Sequence, residues 1–174
     1  MKKIPFVLYA GDSQQEGTLC GTETLRRIKK AVSFIACNRN KFSFLVLGAG
    51  IRPDKPHYPP LKKVMKECLE NHLNNFPIVT TEIDGWGTFK ESLAIYAAFK
   101  EGGQNEIYLC SSWYHIPRIL TIWFMINRKI KIHVVCAPSP RISSVLTEIL
   151  SFIKLFIDWY KWKKHQYPTK SLLF

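Results

Sequence analysis

The chain has 174 residues, of which 47% are hydrophobic, 13% aromatic and 22% charged. This length suits one domain with its own core, and the composition excludes a disordered, collagen-like or coiled-coil chain. The 25 Lys and Arg against 13 Asp and Glu give a net charge of +12, which favours anionic partners such as phosphorylated small molecules, nucleic acid or an acidic membrane surface. A solvated lysine face is the alternative explanation of the same charge.

The spacing of the cysteines and the lengths of the apolar runs indicate the cellular compartment of the protein. The five cysteines are widely spaced and contain no Cys-x-x-Cys pair, so neither a disulfide framework nor a metal site is predicted. Apolar residues 4–10 are too short for a signal peptide. The longest apolar runs, 119–126 and 149–160, are shorter than the roughly 18–20 residues that span a bilayer. We therefore predict a cytoplasmic protein with no transmembrane segment.

Strand-like and helical patterns alternate along the chain. Runs rich in Val, Ile, Phe and Tyr predict strands at residues 5–9, 42–47, 77–81, 106–110 and 130–136. Helical spacing of apolar residues predicts helices at 25–35, 61–69, 88–99, 117–127 and 141–164. Such alternation is typical of a parallel sheet covered by helices on both faces.

We therefore predict an α/β fold: a Rossmann-like three-layer α-β-α domain with a mostly parallel five-stranded sheet. The domain covers residues 1–174, with 141–174 as its C-terminal helix and tail. By analogy with such folds we expect the strand order 3-2-1-4-5.

The expected ligand site lies beyond the carboxyl ends of the strands, where open α/β sheets bind their ligands. Polar residues and glycines follow four of the predicted strands: Asp12, then Gly48 and Gly50, then Glu82 and Thr88, then Ser111, Ser112 and His115. Their convergence at one edge of the sheet predicts a polar pocket there.

Two of these segments also have purely structural interpretations. Gly48 and Gly50 could bring backbone N–H groups close to a phosphate, but the segment is not G-x-G-x-x-G, and a tight turn explains it equally well. Thr88 and Glu91 have the spacing of a helix capping box, which is the favoured explanation for Glu91. Thr88 is predicted both to cap its helix and to face the ligand.

The stretch Ser111-Ser112-Trp113-Tyr114-His115-Ile116-Pro117-Arg118 is the most informative. Pro117 suits the first position of a helix, which places His115 just before that helix and Arg118 in its first turn. A cation there opposes the helix dipole, so an anionic ligand explains Arg118 better than helix stability does. His115 is then a candidate general acid or base, or a hydrogen-bond donor. No G-x-S-x-G elbow is present, which disfavours a serine hydrolase.

Several motifs together resemble the SanA/YdcF-like family. A strand ends in residues 8–12, Arg27-Ile28-Lys29-Lys30-Ala31 follows, and a glycine pair ends the second strand. Glu82 then precedes Thr88 by six residues. The stretch from Ser111 to Arg118 is similar to the family's Thr-Ser-x-aromatic-His-x-x-Arg signature, which is the specific part of the resemblance. The resemblance covers roughly residues 4–136.

The resemblance implies a Rossmann-like domain with a polar, charged pocket, a suspected enzymatic activity and a link to cell-envelope metabolism. It also implies a nucleotide-like cofactor such as S-adenosylmethionine. The chain departs from the family pattern where Lys90 replaces an acid, where Gly87 replaces an Asn, and where Pro59-Pro60-Leu61 replaces an acid in the second helix. If the family's chemistry needs those acids, this chain would bind its ligand without turning it over.

Our first functional hypothesis is an enzyme, a hydrolase or transferase acting on a phosphorylated or nucleotide-like small molecule. His115 would act as acid or base, and Glu82 would orient it or activate water. Arg27 and Arg118 would hold the anion, helped by backbone N–H groups. The ligand-binding set is Asp12, Arg27, Gly48, Gly50, Thr88, Glu91, Ser111, Ser112 and Arg118.

The second hypothesis is a non-catalytic binding module, for a nucleotide-like ligand or for an anionic surface. Residues 159–164 interleave aromatic residues with lysines, a composition that suits a membrane surface or single-stranded nucleic acid. A frayed amphipathic helix end with solvated lysines is the simpler explanation of these residues.

Overall fold

Apart from a short antiparallel pair of strands at residues 13–20, which the sequence patterns do not predict, strands and helices alternate along the chain as predicted. The computed structural model describes residues 3–100, 103–139 and 143–164. Its strands are β1 Ile4–Leu8, β2 Ser13–Gln14, β3 Leu19–Cys20, β4 Phe42–Ala49, β5 Ile78–Gly85, β6 Glu106–Ser112 and β7 Lys131–Ala137. Its α-helices are α1 Thr22–Cys37, α2 Leu61–Glu70, α3 Thr88–Lys100, α4 Ile116–Ile126 and α5 Ser143–Lys163. The predicted tail at residues 165–174 lies outside the described residues.

The main sheet has the strand order β5-β4-β1-β6-β7, and every neighbouring pair is parallel. In terms of the five predicted strands this is the order 3-2-1-4-5, so that prediction is confirmed. The chain leaves central β1 towards β4 and later crosses to β6 on its other side. The order therefore reverses around β1, and ligand crevices form at the carboxyl end of such a strand.

Alternate side chains of β1 and of Tyr9, which directly follows it, enter two different cores. Phe6 and Leu8 pack with Ile28 of α1 and Met65 of α2, on one face of the sheet. Val7 and Tyr9 pack on the other face, in the cluster that contains Phe99 of α3 and Trp123 of α4. Because successive residues of a strand point to opposite faces, this pattern requires helices on both sides. The Rossmann-like three-layer α/β fold is thus confirmed.

Helix α5 covers α3 and α4 on the outside of the second layer. Leu155 is buried in a third cluster with Phe89 and Leu93 of α3 and Ile122 of α4. This packing carries α5 past the first turns of α3 and α4, which begin at the carboxyl edge of the sheet. Within the described residues, no helix is both long and apolar enough to cross a membrane.

Strand pairing extends beyond the apolar runs that predicted it. Residues 82–85, expected in a loop, belong to β5, where Gly85 pairs with Ala49 after a shift in register. Ser111 and Ser112, also expected after their strand, pair with Cys136 and Ala137 of β7. Backbone hydrogen bonds continue a ladder whatever the side chains are, so hydrophobicity alone ends a strand too early.

Candidate functional site

His115 lies in the turn between β6 and α4, beneath α5, and is 7% exposed. A cavity of about 220 Å³, which we call the His115 pocket, opens beside it. The pocket is lined by Ala10, Gly11, Asp12, Glu23, Arg27, Tyr114, His115, Arg118, Thr147 and Glu148. The structure therefore brings the end of β1, the start of α1 and the β6–α4 turn together under one helix.

Both ring nitrogens of His115 have partners. Nδ1 lies 2.8 Å from Oε1 of Glu148, and Nε2 lies 3.3 Å from the hydroxyl oxygen of Thr88. Arg118 Nη2 is 3.0 Å from Nδ1, but the shorter distance and the charge of the carboxylate assign the Nδ1 proton to the bond with Glu148. The lone pair of Nε2 consequently faces the Thr88 hydroxyl.

The environment of His115 keeps its imidazole neutral. Burial lowers the pKa of His115 to about 4, and the positive charges of Arg27 and Arg118 act in the same direction. The hydrogen bond that His115 donates to Glu148 raises this pKa but does not outweigh burial. At neutral pH the ring is therefore an unprotonated base rather than a cation.

Arg118 joins the same cluster from the first turn of α4. Its Nη2 donates to the Thr88 hydroxyl at 2.9 Å. Its Nε lies 3.2 Å from Oε2 of Glu148, an ion pair whose geometry is not that of a hydrogen bond. The helix-dipole pattern predicts an anion near Arg118, and part of that negative charge is supplied by Glu148 of the chain itself.

Arg27 anchors α1 to the ends of β1 and β6. It is 2% exposed, its Nε donates to the Ser112 hydroxyl at 2.8 Å, and its Nη1 donates to the Ala10 carbonyl. Ser112 in turn donates to Glu23. Burial raises the pKa of Glu23, but the bonds from Ser112 and Ser139 and the charge of Arg27 outweigh it and hold the pKa below its usual value. The predicted anion-binding arginine is thus already hydrogen-bonded within the protein.

Glu91 does not form the expected capping box. Its carboxylate accepts a hydrogen bond from the Ala10 N–H, 3.3 Å away at the end of β1, instead of turning back to α3. The reason is close packing: a Cβ on Gly85 would lie 2.7 Å from the Glu91 backbone, and one on Gly48 would lie 3.1 Å from its Cγ. These two glycines let the first turn of α3 rest on β4 and β5, so that Glu91 reaches β1.

Burial raises the pKa of Glu91 to about 8, against the opposing effects of the Ala10 N–H and the charges of Arg27 and Arg118. In the unfolded chain the usual pKa is 4.5, so between these values the folded state binds more protons than the unfolded state. The free energy of unfolding should therefore fall as the pH rises through this window, by about 1 kcal/mol per pH unit.

Below pH 6.5, the usual pKa of histidine, His115 has the opposite effect on the free energy of unfolding. Its pKa in the folded protein is about 4, so in this range the unfolded state binds more protons. The fall due to Glu91 should thus be clearest between pH 6.5 and 8. We expect Glu91→Gln to remove this fall in urea denaturation measured across the window, whereas Glu67→Gln, on the exposed side of α2, should retain it. An unchanged slope in Glu91→Gln would assign the titration to another group.

Asp12 is brought to the site, where it caps α1. Its Oδ1 accepts from the backbone N–H groups of Glu23, at 3.0 Å, and Thr24, at 3.2 Å. Asp12 also lines the His115 pocket. It therefore sets the position of the first turn of α1, which carries Glu23, and Arg27 follows one turn later.

Four other predicted residues are not gathered around His115. The Gly50 N–H donates to the Gly85 carbonyl at 3.0 Å, so this amide serves the sheet and not an anion. Gly48 packs against Ile95, and Ser111 is fully buried with no hydrogen-bond partner for its hydroxyl. Glu82 is exposed on β5 and has no hydrogen bond or ion pair to His115. The carboxylate at His115 is Glu148 instead.

The sequence patterns did not single out Glu148, which lies 33 residues after His115 on α5. A signal was present, because Glu148 shares the inner face of α5 with Phe152 and Leu155 at helical spacing. An acid on the buried face of an amphipathic helix needs a cationic or hydrogen-bonding partner. That rule identifies Glu148 as a candidate site residue but does not predict which side chain it contacts.

A second cavity of about 330 Å³ adjoins the first across Arg118. This cavity, the Trp86 pocket, is lined by Pro53, Trp86, Gly87, Thr88, Phe89, Lys90, Arg118, Ile122, Ser151, Lys154, Leu155 and Asp158. Asp158 accepts from Lys154 at 2.5 Å and is the one acidic side chain among the described residues of the lining, against three cationic ones. Its walls thus combine an aromatic ring, apolar side chains, a net positive charge and the start of α3.

Among the residues that the structure describes, no group of three His, Cys, Asp or Glu is placed to hold a metal ion. Comparison of the chain with protein-family models, curated proteins and solved structures gives no match.

Proposed function

We propose that this chain is a SanA/YdcF-like enzyme, a hydrolase or transferase, that acts on a phosphorylated or nucleotide-like small molecule. The observation that carries the proposal is the buried, neutral His115 held between a carboxylate and a hydroxyl. A base that is oriented by an acid on one side and faces a hydroxyl on the other is the arrangement used for proton transfer in nucleophilic catalysis.

The proposed chemistry uses three side chains. His115 Nε2 accepts a proton from the Thr88 hydroxyl, or from a water or substrate hydroxyl that takes its place. Glu148 holds the tautomer and stabilises the imidazolium that forms, the role that the sequence patterns assign to Glu82. Arg118 presents its positive charge to the anionic group of the substrate.

The Trp86 pocket suggests the class of ligand. Its aromatic and apolar walls suit a flat base, and Lys90 and Arg118 suit a phosphate beside the start of α3. Arg52 lies over the Trp86 ring, with its guanidinium carbon 5.5 Å from the ring centroid. These features support a nucleotide or S-adenosylmethionine as ligand, and the family resemblance extends the proposal to cell-envelope metabolism.

A thermal-shift screen against phosphorylated metabolites, nucleotides and S-adenosylmethionine tests the ligand class. A ligand at 100 times its Kd adds about 2.7 kcal/mol, which should raise Tm by several degrees. We expect Arg118→Ala to abolish the shift, and Arg128→Ala, an exposed arginine just after α4, to preserve it. A full shift in Arg118→Ala, or its loss in both variants, would place the ligand elsewhere.

A non-catalytic binding module is the second candidate. It is favoured by Lys90, which lines the Trp86 pocket where the family pattern has an acid, and by Glu91, whose carboxylate is directed to the Ala10 N–H and away from that pocket. A ligand that shifts Tm through Arg118 and is recovered unchanged after long incubation would support this alternative.

A further inference from the structure

The outer face of α5 is exposed and apolar. It consists of six side chains that are each between 50% and 68% exposed, namely Ile149, Leu150, Ile153, Phe156, Ile157 and Tyr160. At 3.6 residues per turn they form one continuous stripe roughly 120° wide. The opposite face of the same helix packs on α3 and α4 through Leu155. Helix α5 is therefore apolar on two sides, and the residues that the structure describes cover only one of them.

Lysines border the outer face of α5. By helical spacing Lys161 lies along one flank, Lys163 lies along the other, and Lys164 follows the stripe at its end, whereas Lys154 is paired with Asp158 at the Trp86 pocket. The Lys163 ammonium is 5.2 Å from the centre of the Trp159 ring, and that of Lys164 is 4.6 Å from the centre of the Tyr160 ring. Glu148 and Asp158, the acids of the described part of α5, are on the inner side and line the two pockets.

We propose that the outer face of α5 docks on the surface of a membrane that contains anionic lipids. An apolar stripe flanked by lysines, with aromatic rings near the lysines, is the pattern of a helix that lies in the plane of the lipid interface. The stripe enters the acyl boundary, and the lysine ammonium groups reach the lipid phosphates. In this orientation the membrane lies on the opposite side of α5 from His115.

The side chains of the outer face favour anionic lipid over two other partners, a second copy of the chain and nucleic acid. A contact between two copies through this face would leave the lysines without acidic partners, because the described part of the outer face offers no carboxylate. Nucleic acid is bound by cationic and stacking side chains, whereas four of the six exposed residues are Ile or Leu. Anionic lipid matches both the apolar stripe and the positive flanks.

Co-sedimentation of the full chain with vesicles tests the proposal. Vesicles of phosphatidylcholine with about one-third phosphatidylserine should bind the protein, and vesicles of phosphatidylcholine alone should bind it more weakly. We expect Phe156→Asp to lower the partition coefficient at least about tenfold, because an aromatic ring that enters the acyl boundary is replaced by a charge. Lys161→Ala should lower it about fivefold on the anionic vesicles only.

Phe124→Asp is the matched control. Phe124 is 56% exposed on α4, against 53% for Phe156, and lies on the other side of that helix from Ile122, which packs with α5. Its substitution should leave vesicle binding unchanged. Ile157→Asp, also on the outer face, provides a second test variant if Phe156→Asp lowers the Tm.

Four outcomes would overturn the proposal. They are absence of sedimentation with anionic vesicles, an equal loss in Phe124→Asp, a dimer in sedimentation velocity that Phe156→Asp dissociates, and binding to a single-stranded oligonucleotide but not to vesicles. The third would assign the face to a second copy of the chain, and the fourth to nucleic acid.

Discussion

Replacing His115 with glutamine should lower kcat/KM by about 10²–10⁴-fold and leave the protein folded. Glutamine can still donate an N–H to Glu148, so the variant retains a hydrogen bond in place of the one that is 2.8 Å long in the native protein. What is lost is the nitrogen that accepts a proton from the Thr88 side, 3.3 Å away. The effect is measured as the rate of phosphate release from the ligand that the thermal-shift screen identifies.

The pH profile separates a base from a merely structural histidine. A base is active when unprotonated, so the rate should fall as the pH drops through the His115 pKa of about 4, not through the usual 6.5. His72→Gln is the matched control, since His72 is exposed at the end of α2 with its Nδ1 on the Cys68 carbonyl. A His115→Gln variant with the native rate would remove the proposed mechanism while leaving ligand binding through Arg118 intact.

Replacing Arg27 with methionine should cost about 3 kcal/mol or more of unfolding free energy. The guanidinium is 2% exposed, and its removal leaves the Ala10 carbonyl and the Ser112 hydroxyl without their donor. Glu23 also loses a positive charge that lowers its pKa. For a chain of this length the loss corresponds to a fall in Tm of roughly 10 °C.

Arg26→Met is the control for Arg27→Met, because the two arginines are neighbours and both face Glu23. Arg26 Nη1 lies 3.2 Å from Glu23 Oε2, but its side chain is 34% exposed. A partly solvated pair of this kind contributes about 0–1 kcal/mol. Urea denaturation should show a large drop in midpoint for Arg27→Met and a small one for Arg26→Met. Equal midpoints for the two variants would show that burial of Arg27 adds nothing to stability.

The order and type of the main elements follow from the sequence alone. Apolar runs with period two and helices with period 3.6 record which side chains must be buried, and this information is local. The rule that parallel strands are joined by right-handed crossovers then limits the topologies, so the order with β1 at the centre was within reach. The position of His115 before a helix and of Arg118 in its first turn is local in the same way.

The partners of the site residues are not local. Whether Glu91 would turn back to its own helix or reach Ala10 depended on how closely α3 could approach the sheet, which Gly48 and Gly85 decide. The sequence suggests that the Gly50 amide is available for an anion. In the structure, the register shift between β4 and β5 places the Gly85 carbonyl where it accepts a hydrogen bond from that amide. In both cases two segments distant in sequence compete for one hydrogen bond.

The sequence by itself thus determined a doubly covered parallel sheet, and it marked the turn that holds His115 and Arg118. Only the tertiary structure decided that Glu148 of α5, and not Glu82 of β5, is the carboxylate at His115. The physical reason is that α5 is placed by packing of Leu155 against α3 and α4, a contact between residues far apart in the chain. Periodicity shows that a helix has a face to bury, but the partner helices determine which residues the side chains on that face, such as Glu148, will contact.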